Sequence, residues 1–346
     1  MRGQAGLNLR YVSCAEDARR DGVLGIATFH DSPPATLGDT CIPIASVDTP
    51  VLPTDTPLYE IWSSEEPAES GQQGRVQFRR TPEMLFGCIA VAEQDFAVQD
   101  ANRAVTSALH RATAQAYREI CATLETQGYP HLLRIWNYLP DINGESYGTE
   151  RYRQFNTARR DALRASGRAV AGSVPAASAL GADSESPLVI YFLAGKVAPV
   201  FVENPRQVSA YHYPRQYGRH SPAFSRAALL RQAASQTLFI SGTASIVGHR
   251  SLHTGDTAAQ TRETLTNIEA LIGEANRLAD GAHFDFDALA YKVYVRQPSD
   301  LPVIQAQLAS SLGPRAQIIY LRADICRQDL LVEIEATGIC PLAAVA

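Results

Sequence analysis

Residues 331–338 read LVEIEATG and residues 188–195 read LVIYFLAG, and the two can be laid on one another without a gap. Each is a short apolar run closed by glycine, the pattern of a strand buried in a sheet. Reading backwards from each run, the same order of elements recurs. Before the first stand a strand at 85–92, a helix over 100–126, a strand at 131–139 and an arginine-rich helix at 150–165. In the long helix Val105, Leu109, Ala112, Ala116, Ile120 and Leu124 fall three and four apart, and Gly128-Tyr129-Pro130 stops it. Before the second stand a strand at 237–247, a helix at 256–278, a strand at 288–295, a helix at 301–312 ended by Gly313-Pro314, and a strand at 317–321. Leu265, Ile268, Ile272 and Ala275 share one face of its long helix. Residues 85–90 (LFGCIA) can likewise be laid on 238–243 (LFISGT). The chain therefore reads as an internal duplication. The expected fold is α+β, with domains at 1–197 and 198–346, each packing helices on one sheet face. Residues 1–80 are rich in Pro, Thr, Ser and Asp and read as strands joined by loops, with strand pieces at 23–29 and 59–62.

The duplication isolates two acids. Where the second copy has Glu333 and Glu335, the first has Ile190 and Phe192 in the gapless superposition. Strand residues two apart share a face, so both carboxylates point the same way. Burying them is expensive. Either that face is solvated or salt-bridged, or one carboxylate is a general acid or base whose proton affinity an apolar pocket raises.

Composition bounds the rest. The chain has 346 residues, 45% hydrophobic and 19% charged, which suits about two globular domains. A net charge of −5 gives no general footprint for nucleic acid. No apolar run is long enough to span a membrane. The N-terminus lacks the layout of a secretory signal, so a cytoplasmic protein is expected. The cysteines Cys14, Cys41, Cys88, Cys121, Cys326 and Cys340 are scattered, with no C-x-x-C pair, and the histidines form no metal-binding motif. No metal and no cofactor is expected. Only Lys196 and Lys292 among the 31 basic residues are lysines. The chemistry of this chain is arginine chemistry, suited to gripping carboxylates with two prongs.

Three segments concentrate polar residues. In 150–160, Tyr152, Phe155, Asn156 and Arg159 fall on one helical stripe, with Arg153 and Arg160 beside it. Residues 211–219 (YHYPRQYGR) form a loop carrying Tyr213, Arg215, Tyr217 and Arg219. Cys326 lies in the connection before the strand that bears Glu333. No phosphate loop and no G-x-S-x-G elbow occurs. Arginines to fix carboxylates, tyrosines to line a ring and a protonated glutamate describe a pocket for a small dianion.

The second half resembles the RidA-like (YjgF) fold: a strand into Ser241-Gly242, a helix with Gln260-Thr261 and Asn267-Ile268, a strand ending in Val295, and the closing V-E-I-E-A. The whole chain resembles the chorismatases, which fuse such a domain to a related N-terminal one. The matching segments are 136–140 (WNYLP) with Ile142-Asn143, 150–156 (ERYRQFN), 191–195 (YFLAG), 213–218 (YPRQYG), and Ser221-Pro222 with Phe224 and Arg226-Ala227. The likeness implies cleavage of the enolpyruvyl ether of chorismate with release of pyruvate, and it casts Glu333 as the acid that protonates the departing group. It also implies Cys326 as a second catalytic residue that moves a proton near the ring, and Gly242 as the residue leaving room there. Arg215 and Arg219 would hold a carboxylate, helped by Arg153 or Arg160, and Tyr152 and Tyr213 would line the ring. The branch of the family that forms 3-hydroxybenzoate resembles this sequence in carrying Cys at 326 and Gly at 242. The branch that hydrolyses chorismate to trans-3,4-dihydroxycyclohexa-1,5-diene carboxylate tends to carry alanine where Gly242 stands. The expected product is therefore 3-hydroxybenzoate. A RidA-like enamine or imine deaminase and a non-catalytic small-molecule sensor are the readings from other classes. The fused copies point to a monomer, with a trimer as the alternative, and to a pocket at the domain junction.

Overall fold

The computed structural model describes residues 6–13, 22–29, 41–54, 57–97 and 106–342. The chain opens with four strands, β1 (Leu7–Val12), β2 (Val23–Phe29), β3 (Ile44–Val47) and β4 (Tyr59–Ser64), in one sheet of order β1-β4-β2-β3. The expected strand pieces at 23–29 and 59–62 are β2 and most of β4.

The first half follows with β5 (Glu69–Gln73), β6 (Val76–Arg80), β7 (Met84–Val91), α1 (Ala108–Gln127) and β8 (His131–Pro140). A small hairpin of β9 (Glu145–Ser146) and β10 (Thr149–Glu150) leads into α2 (Arg151–Ala165), then β11 (Ala176–Ala182) and β12 (Leu188–Gly195). Ser107 caps α1 by accepting the His110 N–H at 3.1 Å, and Gly128, at φ 76°, ends it in the left-handed region. The expected first turn at 100–105 lies outside the described residues.

The second half comprises β13 (Val200–Val202), β14 (Ala227–Arg231), β15 (Ser235–Ala244), the short pair β16 (Ile246–Val247) and β17 (Arg250–Ser251), α3 (Thr257–Leu278), β18 (Ala290–Val295), α4 (Leu301–Ser311), β19 (Gln317–Arg322), β20 (Asp324–Ile325) and β21 (Val332–Pro341).

The duplication is plain in the pairing. The first sheet runs β11-β8-β12-β7-β6-β5 and the second runs β19-β18-β21-β15-β14-β13. In each, one parallel pair (β8 with β11, β18 with β19) stands at the same place and every other pairing is antiparallel. β20 crosses over to extend the first sheet beyond β11.

The gapless superposition of 188–195 on 331–338, however, is one residue out. Ile190 and Phe192 face the helices, packed with Leu109, Ala116 and Ile120 of α1. On β21 it is Val332, Ile334 and Ala336 that face α3, so Glu333 and Glu335 point away from the helices. A sheet repeats every two residues, and a slip of one exchanges its faces. The counterparts of the two acids lie among Val189, Tyr191 and Leu193, which join a different core.

That core lies where the helix-free faces of all three large sheets meet. Trp136 stacks on Tyr191 at 4.5 Å between ring centres, and Trp62 approaches Trp136 at 5.7 Å and Phe239 at 6.0 Å. We expect Ile190→Ala, a truncation beneath α1, to destabilise the protein by about 2–5 kcal/mol in denaturant unfolding. An effect below about 1 kcal/mol would contradict the inward placement of that face.

Candidate active site

Glu333 and Glu335 are both buried, yet their surroundings differ. Glu335 accepts from Trp136 Nε1 and Ser178 Oγ, each at 2.6 Å, and pairs with Arg134 at 2.7 Å and Lys292 at 3.1 Å. Burial alone would raise its proton affinity, but Lys292 and Arg134 hold it below the usual carboxylate range. Lys292 also pairs with Glu60 of the N-terminal sheet, whose carboxylate accepts from Trp62 Nε1 at 2.8 Å. Burial would lower the Lys292 pKa, but the two glutamates push it well above its ordinary value. It is an ammonium anchor and not a free amine.

Glu333 has no cation in contact among the described residues. Burial first, then the negative charge of Glu335, push its carboxyl up to about 8. It is therefore a neutral acid at pH 7. Two carboxyls side by side on one strand are driven apart in proton affinity, the arrangement that separates an acid from an anion.

A local irregularity makes room beside it. The β15–β21 register shifts between Ile240 and Thr243, and Gly242 sits in that bulge. A Cβ at Gly242 would fall 1.9 Å from Glu333 Oε1 and 3.2 Å from Ser178 Oγ. Gly242 donates its backbone N–H to Ser178 Oγ at 3.0 Å.

Above this floor opens a cavity of about 820 Å³ between the two halves. Its walls include Glu333, Cys326, Tyr152, Tyr213, Arg226 and Arg327. The loop before β14 forms two 3₁₀ turns about Pro214, which bring Tyr213 and Tyr217 together at 5.5 Å. Arg327 lies over the Tyr217 ring at 4.1 Å and donates to His249 O and Ser251 Oγ. Arg226 is buried, donates to Tyr213 Oη at 2.7 Å and to Val208 O at 2.9 Å, and packs over Phe224 and Tyr213. Its Nε has no hydrogen-bond partner among the described residues.

Of the residues singled out in the sequence, Glu333, Cys326, Tyr152, Arg153, Tyr213 and Gly242 come together around this cavity. Arg153 stands at the exposed rim, its Nε 3.3 Å from Glu150. Arg160, Arg215 and Arg219 are not brought in. With Tyr213 and Tyr217 turned inward, the same short loop leaves Arg215 and Arg219 exposed, and Arg160 lies two helical turns beyond Arg153. The structure supplies Arg226 and Arg327 instead. The signal for Arg226 was a single charge entering an otherwise apolar strand; Arg327 had none beyond its neighbour Cys326.

Cys326 Sγ is 4.0 Å from Glu333 Oε2. Its loop is held by Arg296, which donates to Asn143, Asp324, Ile325 O, Arg327 O and Leu330 O, using all five of its N–H groups. Desolvation and the nearby Glu333 push the thiol up to about 12. The site holds Cys326 protonated.

Known proteins match this chain over most of its length. A 3-hydroxybenzoate synthase of Streptomyces hygroscopicus is 36% identical over 294 residues, 82% of each chain. A chorismatase of Streptomyces rapamycinicus is 38% identical over 323 residues, 91% of each chain. The protein belongs to the chorismatase family. The family model for the N-terminal part of FkbO/Hyg5-like chorismatases matches residues 60–194. A chorismatase crystal structure superposes with a TM-score of 0.85 at 32% identity, covering 97% of this chain and 99% of that one. The fold described above is thus the chorismatase fold. No helix among the described residues is long and apolar enough to cross a membrane.

The thiol state has a direct check. At pH 8 about one Cys326 in 10⁴ would be thiolate, so iodoacetamide should label the exposed Cys41 far faster, as read by peptide mass spectrometry. Equal rates would show that the sulfur is ionised.

Proposed function

We propose that this chain cleaves chorismate to 3-hydroxybenzoate and pyruvate, with Glu333 as the general acid. The observation that carries the reading is the neutral Glu333 carboxyl, buried at the floor of an arginine- and tyrosine-walled cavity. In this reading residues 1–197 and 198–346 are the two domains, the cavity lies at their junction, and one chain holds a complete site.

Chorismate carries two carboxylates, and Arg226 and Arg327 are the cations placed to receive them inside, with Arg153 at the mouth. These take the role that the sequence suggested for Arg160, Arg215 and Arg219. Tyr152 and Tyr213 wall the ring. Glu333 gives its proton to the enolpyruvyl group, because an enolate leaves poorly at neutral pH, and a positioned acid is worth roughly 10²–10⁴-fold. The ring 4-hydroxyl then displaces the enolpyruvyl oxygen, its proton returning to the Glu333 carboxylate. The resulting arene oxide loses a ring proton and regains one on oxygen to become the phenol. The two products together contain the atoms of the substrate, so no water is consumed. The thiol of Cys326, protonated and beside Glu333, is placed to donate as well as accept in that final transfer. Gly242, where any side chain would collide with Glu333, leaves that carboxyl its place beside the cavity, and the 36% identical relative named for 3-hydroxybenzoate supports this product over the diene.

The acid role fixes a pH dependence. Glu333 must carry its proton, so kcat/KM should be flat at low pH and fall as pH rises through about 8. Glu333→Gln should reduce turnover by roughly 10²–10⁴-fold while leaving the circular dichroism spectrum unchanged. Pyruvate is followed by coupled lactate dehydrogenase. Absence of pyruvate from the wild type would remove every chorismate-cleaving reading and leave the deaminase or sensor. Chromatography of the ring product decides the branch, the diene marking the hydrolytic one. Cys326→Ala should divert part of the product to the diene; an unchanged yield of 3-hydroxybenzoate would deny the thiol its role.

A further inference from the structure

Arg134 and Lys292 are lone cations in apolar strands, and the reaction above uses neither. Both meet at Glu335. All four partners of that carboxylate are donors: Arg134 and Ser178 on Oε2, Trp136 and Lys292 on Oε1. A carboxyl so surrounded has no acceptor to which it could give a proton, so it is an anion by hydrogen-bond count. Glu333 lies two residues away on the same strand face, roughly 7 Å along the strand. Among the described residues its one hydrogen-bond contact is with Cys326. Ser178 Oγ connects the two environments: it donates to Glu335 while accepting from Arg134 at 2.6 Å and from the Gly242 N–H.

We propose that Glu335 is a positioning residue, a fixed anion that keeps the proton on Glu333, with Ser178 tying that anion to the Gly242 bulge over which Glu333 lies. The proposal rests on the reading of Glu333 as the acid. The charged and titratable groups facing Glu333 are Glu335 on its own strand, Cys326 on the preceding loop, Tyr152 on α2, Arg134 on β8, Arg296 after β18 and Arg226 before β14. The three arginines pull the proton off. Arg134 is neutralised by Glu335, and Arg296 by Asp324. Loss of the Glu335 charge would therefore remove a repulsion and release Arg134 at once, both favouring the Glu333 anion.

The test is the pH profile of kcat/KM with chorismate for wild type and Glu335→Gln. The alkaline limb should move down by roughly one to two pH units, so that the ratio of activity at pH 6 to that at pH 8 rises about tenfold. A folded Glu335→Gln protein with an unmoved limb overturns the proposal. Should the single variant fail to fold, Glu335→Gln with Lys292→Met is the charge-balanced substitute, with a smaller shift in the same direction expected and no shift overturning it. A second readout needs no turnover. A carboxyl with raised native proton affinity stabilises fully below its unfolded pKa, and that stability is lost as pH climbs to the native value. The melting-temperature difference between wild type and Glu333→Gln should change over about pH 4.5 to 8, and in the Glu335→Gln background that change should end lower. If Glu333→Gln still turns over chorismate, the acid assignment falls alone, and the melting data still decide the role of Glu335.

Discussion

Glu335 is an anion placed where three sheets shut out water, and the architecture is arranged around keeping it there. An isolated carboxylate in such a place would cost several kcal/mol, and only close cations and saturated hydrogen bonding offset that. Each sheet contributes. The N-terminal sheet sends Glu60 to hold Lys292, the first half sends Arg134, Trp136 and Ser178, and the second half supplies Glu335 and Lys292 themselves. Removing one member leaves an uncompensated charge in the centre of the molecule. The network links all three sheets through one carboxylate, within the aromatic packing of the same core.

The same strand face holds the opposite solution two residues earlier. Glu333 is buried without a cation and meets the cost by remaining neutral. Neighbouring carboxyls on one strand thus differ in charge because one faces donors and the other faces a cavity. The absence of a side chain at Gly242 gives it that place; a Cβ there would press against the carboxyl.

Much of this was legible in the chain. Periodicity placed α3, the end of α1 and the central strands of both halves within a few residues, though α1 begins at Ala108 and not near 100, and the recurring order of elements disclosed the duplication. The duplication, the polar segments and the family resemblance together picked out Glu333, Cys326, Tyr152, Arg153, Tyr213 and Gly242, all around one cavity. The failures have physical causes. Ile190 was matched to Glu333 because composition along a buried strand does not say which face each residue takes, and one step of register reverses it. Strand β11, AASALGA, was overlooked since small residues carry little β signal, yet its Ser178 ties Glu335 to the Gly242 bulge. Arg215 and Arg219 were preferred to Arg226 and Arg327 because a loop rich in arginine draws attention, while the direction of each side chain depends on turns that periodicity does not encode. Arg134 and Lys292 did carry a signal: a single charge within an apolar strand demands a buried partner.

The outer edge of β11 is stitched by the other half of the chain. Leu180 and Gly181 pair with β20, Ala177 donates its N–H to Ser241 Oγ, and Ser225 bonds to Pro175 O. A free sheet margin invites association with foreign strands, and here it is closed from within. Expressing the halves as independent polypeptides would strip that cover, leaving a sticky border and Glu335 without Arg134. Each half thus completes both the sheet margin and the charge network of the other.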